Sequence, residues 1–144
     1  MGSRGAMNKN GGFNTPLEFH AVGKVEYYLD GRKMSVKILA FNKSTSRKLP
    51  ESSNTSDAYV SLDKNGKPKQ LRVYDHRIAQ FDVDFGHAHH YGLHDGQYHV
   101  HRISYQMIDG EEKMVRSEDS PKLNPNEWKR WGSLINKLTR LRNE

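Results

Sequence analysis

Ile78-Ala79-Gln80-Phe81-Asp82-Val83-Asp84-Phe85 alternates cleanly through its second half. Phe81, Val83 and Phe85 fall on one side and Gln80, Asp82 and Asp84 on the other, the period-2 pattern of a half-buried strand. Upstream, Ala58-Tyr59-Val60-Ser61-Leu62 and the run from Lys67 to Tyr74 flank Asp63-Lys64-Asn65-Gly66, a hairpin signal. Farther upstream, residues 17–41 form a second hairpin about Asp30-Gly31, a dipeptide suited to a two-residue turn. Downstream, Gln97 to Met107 reads as a strand that turns at Asp109-Gly110 towards Lys113-Met114-Val115-Arg116. These segments predict an antiparallel sheet of about six or seven strands.

One helix completes the pattern. Asn124 can cap it and Pro125 suits its first position. Trp128, Trp131, Leu134, Ile135, Leu138 and Leu141 then recur at helical spacing, so one face is expected to pack on the sheet, with both tryptophans as anchors. The fold class expected is α+β: an antiparallel β-sheet of hairpins with one C-terminal amphipathic helix packed on it. Asn42–Asp57 and Gly86–Gly96 are expected as loops. Met1-Gly2-Ser3-Arg4-Gly5-Ala6 looks like an expression scar ahead of Met7, so residues 1–14 are set apart as scar and flexible N-terminus, and 15–144 as a single domain.

The chain of 144 residues is 34% hydrophobic and 10% aromatic, a small core with long polar connections. It has no apolar run long enough for a membrane helix and no apolar stretch ahead of a small-residue cleavage site. The absence of Cys excludes a disulfide scaffold, a thiol nucleophile and a Cys-ligated zinc. No Gly-rich phosphate loop or Ser-nucleophile elbow is present. The net charge of +6 is uneven. Residues 32–75 carry ten Lys and Arg against four Asp and Glu, and residues 122–144 carry six against two. Basic segments of this kind attract polyanions, and nucleic acid, RNA above all, is the expected partner. Lys129, Arg130, Lys137, Arg140 and Arg142 form either a contact face or the solvated side of the helix.

Seven of the eight histidines, His76, His87, His89, His90, His94, His99 and His101, lie between positions 76 and 101. Imidazole moves protons near neutral pH and ligates transition metals. Three readings follow. In the first, His87, His89, His99, His101, Asp82 and Asp84 hold a divalent ion such as Zn, Mn or Ni. In the second, His99 and His101 act as base and acid on a phosphodiester, with Arg72, Arg77 or Arg102 facing the phosphate and no cofactor needed. In the third, the imidazoles are structural or simply exposed. Strand alternation puts His99 with His101 and Asp82 with Asp84, so the four meet if the two strands are neighbours.

Four segments carry a family likeness: Leu62 to Pro68, Leu71-Arg72-Val73-Tyr74-Asp75, Phe81-Asp82-Val83-Asp84-Phe85-Gly86-His87, and His99-Val100-His101-Arg102. They resemble the C-terminal effector modules of bacterial polymorphic toxins, including those of contact-dependent inhibition systems. The likeness spans residues 58–105 and departs from the family pattern at Arg77-Ile78-Ala79-Gln80, which separates Tyr74-Asp75 from the aspartates. It implies a toxin effector enzyme, often a nuclease, with weight on Asp82, Asp84, His87, His99 and His101. It also implies action in the bacterial cytoplasm after delivery as the C-terminal part of a secreted protein, and an acidic immunity protein as partner. The alternative is a non-catalytic nucleic-acid- or metal-binding module of a phage or mobile element.

Overall fold

The computed structural model describes residues 6–7, 19–41, 49–50, 52–53, 56–85, 98–117 and 122–144. Its strands are β1 (Ala6–Met7), β2 (Phe19–Leu29), β3 (Arg32–Phe41), β4 (Ser52–Ser53), β5 (Ala58–Leu62), β6 (Pro68–Asp75), β7 (Ile78–Phe85), β8 (Tyr98–Ile108) and β9 (Glu111–Arg116), followed by helix α1 (Pro125–Asn143). The sheet runs β1-β4-β7-β6-β5-β3-β2, and β8 pairs with both β7 and β9. Apart from the two-residue pieces β1 and β4, this is a seven-strand, mostly antiparallel sheet with one helix on it, the expected α+β fold.

One pairing departs from a pure hairpin sheet. β3 and β5 run parallel, with Ile38 opposite Val60. A parallel neighbour needs a crossover rather than a tight turn, and residues 42–57 supply it. Three of the turns are those their sequences favour. Asp30-Gly31 and Asp109-Gly110 both take two successive positive φ angles, 51° and 78° in the first, 51° and 80° in the second. At the β5–β6 turn, Asp63 Oδ1 accepts from the amides of Asn65 and Lys67 at 2.8 and 3.0 Å.

Alternation divides the sheet into two faces. Leu71, Val73, Phe81, Val83, Phe85 and Val100 form one core with Trp131, Leu134, Ile135 and Leu138 of α1. On the other face a smaller cluster gathers Leu39, Leu49, Tyr59, Tyr74 and Ala79. Residues Phe81–Phe85 of β7 are all buried, including Asp82 and Asp84. The expected half-buried strand is therefore covered on both faces, because Leu49, Pro50 and β9 side chains lie over the polar side.

α1 starts at a capping box: the Asn124 side chain accepts from Glu127 N at 2.8 Å, and Glu127 Oε1 accepts from Asn124 N at 2.9 Å. Its cations fasten it to the sheet. Arg130 pairs with Asp57 at 2.8 Å, Lys137 donates to the carbonyl of Glu26, and Arg142 Nη1 reaches Asp63 and the Pro68 carbonyl at 2.9 and 2.8 Å. Three of the five cations expected as a contact face are thus engaged in holding the helix down. Trp128 also departs from expectation. It is 39% exposed, and its indole lies over Gly132, where a Cβ would come within 2.8 Å of the ring. Among the described residues, no helix is long and apolar enough to cross a membrane.

Trp131 is buried at the centre of the helix–sheet contact. Trp131→Ala is expected to lower the unfolding free energy by about 3–5 kcal/mol. Urea denaturation checks this, and a loss below about 1 kcal/mol would contradict the packing described.

Candidate active site

Register brings the polar residues together. On β7 Asp82 lies between Arg72 of β6 and His101 of β8, and Asp84 between Gln70 and His99. Residues directly opposite in an antiparallel sheet share a face. Hence one patch of the sheet holds Gln70, Arg72, Asp82, Asp84, His99 and His101, on the face away from the helix.

At its floor is a buried ion pair. Arg72 Nε and Nη2 donate to the two Asp82 carboxylate oxygens at 2.6 and 2.9 Å, with the side chains 1% and 0% exposed. Arg72 Nη1 donates to the carbonyls of Leu49 and Pro50 at 2.7 and 3.5 Å. Burial works against the Arg72 charge, but the hydrogen bond and attraction of Asp82 outweigh it and hold the guanidinium above its ordinary pKa. Tyr74 donates from its hydroxyl to the Pro50 carbonyl at 2.5 Å, and burial pushes its pKa well up. Arg72 was expected to face a phosphate. Its donors are instead spent inside the protein, so it is a support of the site.

Above the floor the patch opens. Asp84 Oδ1 accepts from Gln70 Nε2 at 2.9 Å, and Oδ2 accepts from Arg116 Nη2 at 2.7 Å. Arg116 Nε lies 2.9 Å from Asp82 Oδ2, yet the side chain remains 36% exposed. His101 Nδ1 lies 2.8 Å from the Ser117 carbonyl oxygen. A carbonyl has no proton to give, so Nδ1 carries the hydrogen and donates. Nε2 then points to the carboxylate of Asp84, 3.4 Å away. His101 and Asp84 are 16% and 13% exposed, while His99 is buried at 3%.

Arg102 does not join this patch. It follows His101 on the strand and points to the helix face, where it forms a two-pronged pair with Glu127 and lies 5.5 Å from the centre of the Phe81 ring. That hydrogen bond holds the Glu127 carboxyl below its usual range. Arg77 sits in the β6–β7 turn, away from the patch. Tyr98 lies against Phe85, and Tyr105 donates to the Ala79 carbonyl at 3.1 Å, so both serve packing within the sheet.

Among the described residues no group of three or more His, Asp or Glu is placed to hold an ion. The carboxylates of Asp82 and Asp84 are already faced by two guanidinium groups, and a divalent cation would have to displace them. His87 and His89, which complete the expected set, lie outside the described residues, as do His90 and His94.

Arg116 is the residue the sequence reading passed over. A two-residue turn at Asp109-Gly110 sets Ile108 opposite Glu111 and, counting outward, Ile103 opposite Arg116. That count places its guanidinium beside His101. No protein-family model matches the chain, and no curated protein or solved structure does either.

Removing one member of a buried pair strands the other charge. Arg72→Met is expected to cost about 3–5 kcal/mol of stability, and Arg72→Met with Asp82→Leu to recover part of that loss. Chemical denaturation of the three proteins checks this; a double variant no more stable than the single one would contradict it.

Proposed function

We propose that this domain is a toxin effector of the ribonuclease type, working through a histidine and an arginine without a catalytic metal. The observation that carries the reading is His101: its Nδ1–H is held by the Ser117 carbonyl, and its Nε2 stands beside Asp84 and the partly exposed Arg116. An imidazole held at Nδ1, with Nε2 directed to a carboxylate at the edge of the patch, is oriented to carry a proton. A guanidinium in the same patch can face the charge that grows on a phosphate as it is attacked.

On RNA, His101 Nε2 takes the proton of a 2′-hydroxyl. That oxygen attacks the adjacent phosphorus and a cyclic phosphate forms. The 5′-oxygen leaves and takes a proton from water, and the hydroxide so formed takes the proton back from the imidazolium. Asp84 faces the imidazolium so produced, and Gln70 keeps Asp84 in place. His99, expected as the second member of the pair, takes no direct part in this scheme, because a side chain so buried cannot reach a strand lying on the surface. The resemblance to polymorphic-toxin effectors supports an effector enzyme with an acidic immunity protein as its natural inhibitor, and the positive charge of the chain supports a nucleic acid as substrate. The same resemblance supports action in the bacterial cytoplasm.

His101→Ala and Arg116→Ala are each expected to lower cleavage of total RNA by about 10²-fold or more. EDTA is expected to leave the rate of the unaltered domain unchanged. Cleavage that survives both substitutions, or that EDTA abolishes, would overturn the proposal.

A further inference from the structure

The β6–β7 turn combines a demanding backbone with an unfavourable sequence. The turns Asp30-Gly31 and Asp109-Gly110 take their two positive φ angles with glycine at the second position. The turn between Asp75 and Ile78 has the same form, with φ of 50° and 73°, but its residues are His76 and Arg77. Side chains with a Cβ pay for this region of backbone space, and Asn-Gly is the pair that adopts it most readily. Packing does not explain the choice. The His76 side chain is 91% exposed, and Arg77 is exposed as well. The turn is held from outside itself: Asp75 and Ile78 close the ladder, and Ser53 N donates to the Arg77 carbonyl at 2.9 Å. That bond uses only backbone atoms, so it places no demand on the side chains.

What His76 and Arg77 supply and Asn-Gly would not is an exposed imidazole, its Nδ1 3.2 Å from the Asp75 carboxylate, and an exposed guanidinium at the tip of the turn. Strained residues that persist at an exposed position point to a use for their side chains. A guanidinium is a fork for phosphate oxygens, and an imidazole can stack on a base or donate to a phosphate. The tip belongs to the strand that carries the site. Ile78 and Asp82 are four residues apart on β7, about 13 Å at the rise of a strand. We infer that the His76-Arg77 turn is a second contact for the RNA strand, gripping its phosphate backbone away from the cleaved position. This rests on the ribonuclease reading above.

The test is to replace the turn by the sequence its backbone prefers, His76→Asn with Arg77→Gly, in the full chain. Thermal unfolding is expected to shift upward by roughly 3–6 °C, because strain is relieved. Affinity for a non-cleavable 2′-O-methyl RNA oligonucleotide, read by fluorescence anisotropy, is expected to fall by about five- to tenfold, with a salt dependence shallower by about one phosphate contact. Arg77→Lys is expected to keep that salt dependence. A more stable variant that binds RNA as the parent does would overturn the turn contact alone and leave the ribonuclease reading standing. A variant with no rise in stability would overturn the strain argument. A parent that neither binds nor cleaves RNA would overturn both.

Discussion

The Arg72–Asp82 pair is the contact on which the far face of the sheet depends. A carboxylate and a guanidinium taken wholly out of water are tolerated only with fitted geometry and every remaining donor satisfied. Here the fit is two-pronged, and the third donor group of Arg72 ends on the carbonyls of Leu49 and Pro50. The pair joins β6 to β7, and Arg116 joins it from β9. β8 pairs with β7 through Arg102 and with β9 from Ile103 onward, so Arg116 also ties β9 to the carboxylates of β7. A row of apolar side chains could close this face, but could not set carboxylates and a histidine at chosen positions.

The floor of the patch is therefore charge-balanced, and the proposed chemistry lies one row higher. Asp84, His101 and Arg116 share the patch, each with its orientation set by a neighbour: Gln70 for Asp84, the Ser117 carbonyl for His101, and two carboxylates for Arg116. Orientation by a surrounding shell is what a proton-transfer site needs, because a loose imidazole loses most of its advantage over water.

Much of this could be read from residue spacing. The alternation of Phe81 to Phe85, the Asp-Gly turns and the Asn124-Pro125 helix start all act locally, and each appears where its local chemistry places it. The same period of two that unites His99 with His101 turns Arg102 to the other face, so its assignment to the site conflicted with the strand it lay on. Arg116 was available by counting from Asp109-Gly110. Other features rest on distant parts of the chain. The burial of Asp82 depends on Leu49, Pro50 and Arg116, and the parallel pairing of β3 with β5 depends on a crossover that no local signal announces. His76-Arg77 carries neither glycine nor asparagine, so the pattern for its turn type was missing.

The central claim is that a histidine, not a metal, activates the 2′-hydroxyl of RNA. The ends left on a defined oligonucleotide after incubation in EDTA test it most directly. Mass spectrometry is expected to find a 2′,3′-cyclic phosphate and a 5′-hydroxyl, with no cut at a position carrying a 2′-deoxy sugar. A 3′-hydroxyl with a 5′-phosphate, or cleavage at the deoxy position, would contradict the account.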